Sequence, residues 1–542
     1  VGLAAFSVLA FFHRRIEHTY RRHAVWSRIK VEQQARARLD WNLIPSDSPP
    51  VKPFSHPFAH DLDLIGPRSV HELLNISVCE EGSRRLEAWL TDPEPDPAVF
   101  LDRQEIVREL VPLSRFRDKL MLTLRMHSGG RLDGEKLRTW LQFHSEPVPP
   151  VILLIASALV AVNYLLIAAS AAGWLEHPYW EISLAVYFVF YLNRSRRLGP
   201  VLHSAVSVDD QLSSLGKVLT FLESYPCSHH PRLADLCAIF HHRTSRPSRQ
   251  IRRVKLLTLL AGLRMNLIVG VLLNLLLPWD FLVAHFLAAR KVELTSIVPA
   301  WLDRCSELEA LLSLANLGYL NPNYSFPELK TGEGRRFEAL QIGHPLIEPN
   351  VRVCNDFSLE GAQVIVLTGS NMSGKSTFIK TLGVNLALAQ AGGPVCASHL
   401  SVTPCRIFGC IRLVDSVQDH VSTFYAEVRR LRQLLHALGQ HSVLPLFFLV
   451  DEIFRGTNNR ERLLGSQAFL RALLGKNGTG VITTHDLDLA YSADRLAGVR
   501  NLHFREEIVG DRMVFDYRLR EGICPTTNAL KIMQMEGLPV PD

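Results

Sequence analysis

The stretch Gly369-Ser370-Asn371-Met372-Ser373-Gly374-Lys375-Ser376, with Thr377 after it, fits the phosphate-cradling pattern G-x-x-x-x-G-K-[ST]. Glycines let such a loop curl until successive backbone N–H groups face phosphate oxygens. Lys375 adds a mobile positive charge for the β- and γ-phosphates, and the Ser376 hydroxyl is placed to ligate Mg²⁺. A second group of candidates is Asp451-Glu452, closing the apolar run PLFFLV. One carboxylate beside such a loop can hold the metal shell, and the next can polarise a water. Asp451 is assigned to the metal and Glu452 to general-base work. A third run, Gly480-Val-Ile-Thr-Thr484, delivers His485, which suits a γ-phosphate sensor. The chemistry these residues imply is hydrolysis of a nucleoside triphosphate.

Residues this far apart in sequence work together only if regular elements bring their tips to one edge. Val364 to Leu367 reads as a buried strand entering the loop, and Thr377 to about Ala391 as the helix leaving it. Residues 445–450 and 480–484 read as further buried strands of a mostly parallel sheet, whose ligands sit at the strands' carboxyl ends. The predicted class is an α/β P-loop NTPase. Read alone, Asp451-Glu452 is also compatible with a surface acid pair ending a strand.

Five ordered motifs carry a family resemblance. TGSNMSGKST (368–377), LALAQAGGPVCA (386–397), STFYAEV (422–428), DEIFRGTNNRER (451–462) and TTHDLDL (483–489) resemble the ABC-type ATPase domain of the MutS mismatch-repair family. The closing YRLREG (517–522) and Gly537-Leu-Pro539 are similar to that family's last segment. The resemblance implies ATP and Mg²⁺ as ligands and a homodimer with composite sites. It implies that Ser422 and Thr423 reach the partner's nucleotide, that Asn371 helps place the γ-phosphate or its water, and that His485 senses that phosphate. DNA binding and mismatch repair are implied as the family's task. The chain departs from the pattern at Arg460-Glu-Arg-Leu463, at Pro525-Thr-Thr-Asn-Ala529, and at Val351-Arg-Val-Cys354, where an aromatic residue for the adenine is expected.

Upstream, HDLDLIG (60–66), SVHELL (69–74) and the helix-like stretches 79–90 and 102–110 resemble the helical lever of the same family, and Glu307 to Ala315 and GHPLI (343–347) resemble the stretch leading into its ATPase domain. Leu86, Trp89 and Leu90, like Leu308, Leu311, Leu312 and Ala315, recur at helical spacing and read as core. The expected organisation is an apolar, then basic segment (1–55), an all-α lever (56–330) and the ATPase domain (331–542). About 55 residues before the lever are too few for mismatch-recognition and connector domains, so a short form is expected.

Within the lever, Pro147 to Leu175 carries no charge, and residues 151–172 meet the ~20-residue requirement of a bilayer span. Ile182 to Leu192 follows, then Arg194, Arg196 and Arg197. The positive-inside tendency predicts a transmembrane hairpin over 149–193 with both ends cytoplasmic, hence a cytoplasmic-membrane protein with its ATPase facing the cytoplasm. The competing reading is a pair of very apolar core helices. The run 256–289, broken by Arg264 and Asp280, reads instead as a buried core helix. Hydrophobic residues make up 47% of 542; the net charge of +6 is modest, but segments 13–38 and 243–255 are locally basic. Those segments suit anionic lipid or nucleic acid.

None of the nine cysteines forms a C-x-x-C pair, which speaks against a zinc ribbon and a disulfide scaffold. Cys227, His229, His230, Cys237, His241 and His242 cluster without a usual zinc spacing. No LSGGQ-like signature supports a transporter. Two functions remain open: an ATPase coupled to DNA binding in repair, and a membrane-bound signalling or scaffolding ATPase that has lost mismatch recognition.

Overall fold

The computed structural model describes residues 2–46, 56–127, 133–143, 145–241, 246–330, 336–359, 363–370, 372–411, 423–440, 442–454, 458–509 and 512–525. Asn371, Ser422, His242, residues 455–457 and the closing segment from 526 onward lie outside them. The chain forms two compact units. One comprises Val1–Ile29, Ser77–Ser83 and Arg115–Glu309; the other comprises Lys30–Ile76, Arg84–Ser114 and Ala310–Asp542.

The first thirteen helices, in chain order, are α1 (Gly2–Arg38), α2 (Val70–Leu74), α3 (Glu80–Leu90), α4 (Pro97–Leu110), α5 (Ser114–His127), α6 (Gly134–Gln142), α7 (Pro150–Ala171), α8 (Tyr179–Val206), α9 (Asp209–Ser224), α10 (Pro231–Cys237), α11 (Pro247–Leu263), α12 (Leu267–Leu276) and α13 (Trp279–Leu320). Their starts follow local chemistry. Ser69, Asp96, Asp133 and Asn266 each accept a backbone N–H at an N-terminus, and Pro97 and Pro247 occupy the first turn, where a missing N–H costs nothing.

Downstream come β1 (Glu328–Leu329), β2 (Phe337–Ile342), β3 (Asn355–Ser358), β4 (Val364–Thr368), α14 (Lys375–Gln390), β5 (His399–Val402), β6 (Arg406–Cys410), α15 (Thr423–Gly439), β7 (Leu446–Asp451), α16 (Asn459–Leu473), β8 (Gly478–Thr484), α17 (Leu487–Ala493), β9 (Val499–His503), β10 (Glu506–Val509), β11 (Arg512–Phe515) and β12 (Arg520–Glu521). The main sheet runs β12-β9-β4-β8-β7-β6. Only β12 is antiparallel to its neighbour; β9, β4, β8, β7 and β6 pair in parallel. Every residue of β4, β6, β7 and β8 is buried, as a parallel sheet covered on both faces requires. A smaller sheet, β1-β5-β2-β3, joins the same unit. In this unit Leu86 and Leu90 of α3 and Leu311, Leu312 and Ala315 of α13 are also buried.

The other unit is helical. Helix α7 packs against α8, and α11 against α8 and α9. Among the described residues, α7 is the one unbroken helix long and apolar enough to cross a membrane, and only 17% of its apolar stretch is buried. The expected second arm does not end at residue 193: α8 continues through Arg194, Arg196 and Arg197 to Val206. The run 256–289 also differs from expectation. It is not one buried helix but α11 and α12, bent by 108° at Arg264-Met265-Asn266, followed by α13. Asn266 starts the new helix by accepting from Ile268 N and Val269 N, and Leu267 and Ile268 stand 81% and 79% exposed.

Candidate active site

The loop after β4 curls because its glycines adopt what other residues resist. Gly374 has φ +99°, and a Cβ there would sit 3.0 Å from the Tyr517 ring. A Cβ on Gly369 would lie 2.8 Å from Phe504 O. Ser373 Oγ donates to Ser370 O (2.8 Å), and Ser370 Oγ donates to Glu506 Oε2 (2.7 Å), tying the loop down. Met372, by contrast, points outward at 84% exposure. Lys375 folds back over the loop, its Nζ donating to Gly369 O (2.8 Å) and Ser370 O (2.7 Å). Ser376 and Thr377 line the cavity from the first turn of α14, whose N-terminus adds a positive dipole end.

The neighbouring strand tips bring the acids in. Ser376 Oγ donates to Asp451 Oδ2 (2.7 Å), and Thr483 Oγ1 of β8 donates to Asp451 Oδ1 (2.6 Å). Glu452 has φ +51°, a conformation costly for a residue with a Cβ; its N–H is held by Thr483 Oγ1 (3.0 Å). His485 Nδ1 lies 3.4 Å from Glu452 Oε1. The parallel register, with Asp451 opposite Thr483, is what gathers these residues. Thr423 opens α15. Three residues do work that sequence reasoning did not assign. Buried Glu427 of α15 accepts from Phe454 N just past the acid pair. Arg462, in the stretch that departs from the family pattern, lies 3.6 Å from Asp486 beside His485. Tyr517 is the third.

Tyr517, Phe504, Val353, Ile342 and His344 surround a cavity of about 530 Å³ running from the loop. Beside 351–354 the cavity wall carries an aromatic ring from the far end of the domain. Asn355 pins that segment: its Nδ2 donates to Tyr517 O (3.0 Å) and its Oδ1 accepts from Leu519 N (2.8 Å). Burial pushes His344 down to about 4, so its ring is neutral at physiological pH, and Nδ1 accepts from Leu346 N (3.2 Å).

The segment 56–64 belongs structurally to this site's scaffold. A Cβ on Gly383 of α14 would meet Leu62 at 2.5 Å and Leu449 of β7 at 2.6 Å, so Leu62 wedges between the loop's helix and the acid-bearing strand. Lys380 of α14 pairs with Asp63 (2.9 Å). Buried Asp61 accepts from Ile411 N (3.1 Å) and from Arg430 Nη2 of α15 (3.2 Å). Arg430 also donates to Pro57 O (2.7 Å) and Gly409 O (3.1 Å). Replacing Asp61 with Ala leaves a half-buried guanidinium without its carboxylate and the Ile411 N–H without its acceptor. The expected loss is ~3–5 kcal/mol of stability in this unit, read by denaturant unfolding; a loss below about 1 kcal/mol would show that Arg430's backbone partners suffice.

A glycine-shaped loop, a hydroxyl–carboxylate pair and a second carboxylate on a parallel sheet define a P-loop nucleotide-hydrolase domain. Residues 365–541 match the family model for MutS domain V, a match that supports membership of the MutS family. It is similar to the endonuclease MutS2 of Thermus thermophilus, 35% identical over 208 residues, which cover 38% of this chain and 27% of that one. It is 31% identical over 251 residues to MutS protein homolog 4 of Mus musculus, covering 44% and 25%. Over 240 residues it is 32% identical to the DNA mismatch repair protein MutS 2 of Halobacterium salinarum, covering 43% and 27%. The chain spans about a quarter of the length of these relatives.

Proposed function

We propose that this chain is a Mg²⁺-dependent ATPase whose cycle is coupled to DNA binding in repair, carried on a helical unit anchored in the cytoplasmic membrane with the ATPase facing the cytoplasm. The observation that carries the reading is the Ser376–Asp451–Thr483 chain of hydrogen bonds beside Glu452. Its donors are all oxygen, the set a hard cation takes, so the residues fit Mg²⁺. When bound, the ion neutralises charge on the β- and γ-phosphates. Ser376 and Asp451 would hold it, and Thr483 keeps the carboxylate turned toward it. Lys375 and the loop amides of 369–376, Asn371 among them, bind the triphosphate, and Tyr517 gives the adenine a face to stack on. Glu452 takes the proton from the attacking water, with His485 set against it to sense the γ-phosphate. Ser422 and Thr423 would complete the site of a second copy in a homodimer. Titration calorimetry with Mg²⁺ and ATP tests the core of this reading, and a flat trace would overturn it.

Tyr517→Ala is expected to weaken ATP binding by ~1–3 kcal/mol while kcat changes little, because stacking serves binding and not the chemical step. An unchanged Kd removes Tyr517 from the site. The DNA arm rests on the repair names of the relatives. Binding to branched and duplex DNA should fall steeply with salt and depend on nucleotide. No binding at low salt favours the second reading, a membrane-bound signalling or scaffolding ATPase, which draws on the exposed apolar face of α7.

A further inference from the structure

We infer that α12 and the first two turns of α13 form a re-entrant hairpin sunk among the acyl chains of a bilayer, beside α7 and α8. This inference rests on the membrane placement of α7 proposed above. The path of the chain gives it a depth. Beyond the midpoint of α7, Tyr164 OH donates to Leu276 O (2.9 Å); at the start of α7, Val148 O is bonded by His285 Nδ1 (2.9 Å). Between residues 276 and 285 the chain therefore climbs back along α7 toward the end where that helix began. Helix α12 enters, Pro278 turns, and α13 leaves on the side of entry.

A helix break inside hydrocarbon is tolerated only if the freed polar groups find partners within the protein. At both breaks several of the freed groups find such partners. At the bend before α12, Asn266 Oδ1 accepts from Ile268 N (3.1 Å) and Val269 N (3.2 Å). At the turn after it, Trp279 Nε1 donates to Leu260 O (3.1 Å) and Asp280 N to Asn274 Oδ1 (3.1 Å). Asn274 Nδ2 in turn donates to Gly270 O (2.9 Å). The two charges in the run are spent on each other: Arg264 Nε lies 2.8 Å from Asp280 Oδ2, which also accepts from Tyr191 OH (2.8 Å). Everything α12 turns outward is apolar, with Leu267, Ile268, Val271, Leu272 and Leu275 all exposed. A water-facing helix end needs no such internal closure, whereas a lipid-facing one does.

The test attaches an environment-sensitive nitrobenzoxadiazole dye to the full chain at Ile268→Cys, at Leu272→Cys and, on α7, at Leu154→Cys, with the unsubstituted chain as background. Each is reconstituted in phosphatidylcholine–phosphatidylglycerol vesicles. Quenching by doxyl-labelled lipid and by aqueous iodide is then compared. The expected result is strong lipid quenching and several-fold protection from iodide at all three sites. Protection at 154 with iodide access at both 268 and 272 overturns the re-entrant hairpin and leaves α7 in the membrane. Iodide access at all three overturns both.

Discussion

Exchange of Glu452 for Gln should leave ATP bound and slow its hydrolysis by roughly 10²–10⁴-fold, the range expected when a positioned general base is removed. The substitution keeps size and shape, so the φ +51° backbone and the N–H bond to Thr483 Oγ1 persist. What disappears is the negative charge and the proton acceptor 3.4 Å from His485 Nδ1. Single-turnover phosphate release measured beside calorimetric affinity separates the two effects. Normal turnover would move the base elsewhere, and a joint loss of affinity would make Glu452 a binding group.

Removal of the Lys375 ammonium acts one step earlier. In Lys375→Ala the triphosphate loses a mobile cation carried by a buried side chain, and truncating a charge partner of that kind costs ~2–5 kcal/mol, on the order of 30-fold or more in Kd. The side chain also bonds Gly369 O and Ser370 O, so part of the loss comes from a loosened loop. Lys375→Arg separates these contributions: it keeps charge but not the compact point geometry, and should recover only part of the affinity. Unchanged ATP affinity in Lys375→Ala would remove the loop from nucleotide binding.

The parts of this molecule that were legible in the sequence are those written over short spans. Gly369 to Ser376 and Asp451-Glu452 each declare themselves within a few residues of an apolar strand, because strand, turn and helix impose local periodicities. Tyr517 was not legible as a site residue: nothing between it and Gly374 marks the β9–β12 crossing that folds the far end of the domain over the loop. The stretch 351–354 carries no aromatic residue, and the ring beside it in the cavity comes from a segment distant in sequence. In sequence, Arg264 and Asp280 read as charges interrupting one helix. In the structure they are partners across a 108° bend, a relation that periodicity cannot express. Helix α8 outran its apolar half because arginines are good helix formers even where they end a hydrophobic run.

The wedge made by residues 56–64 bears on how the protein comes to be folded. Its bonds reach across 317 residues at Lys380–Asp63 and 369 at Arg430–Asp61. Such pairings carry a high contact order and pay a large loop-closure entropy before they give anything back. On the ribosome, Leu62 emerges long before Gly383 and Leu449 exist to receive it. Assembly of the nucleotide-binding unit therefore cannot finish until most of the polypeptide has been made, and until then an apolar side chain waits in water, where a chaperone or a premature neighbour can take it.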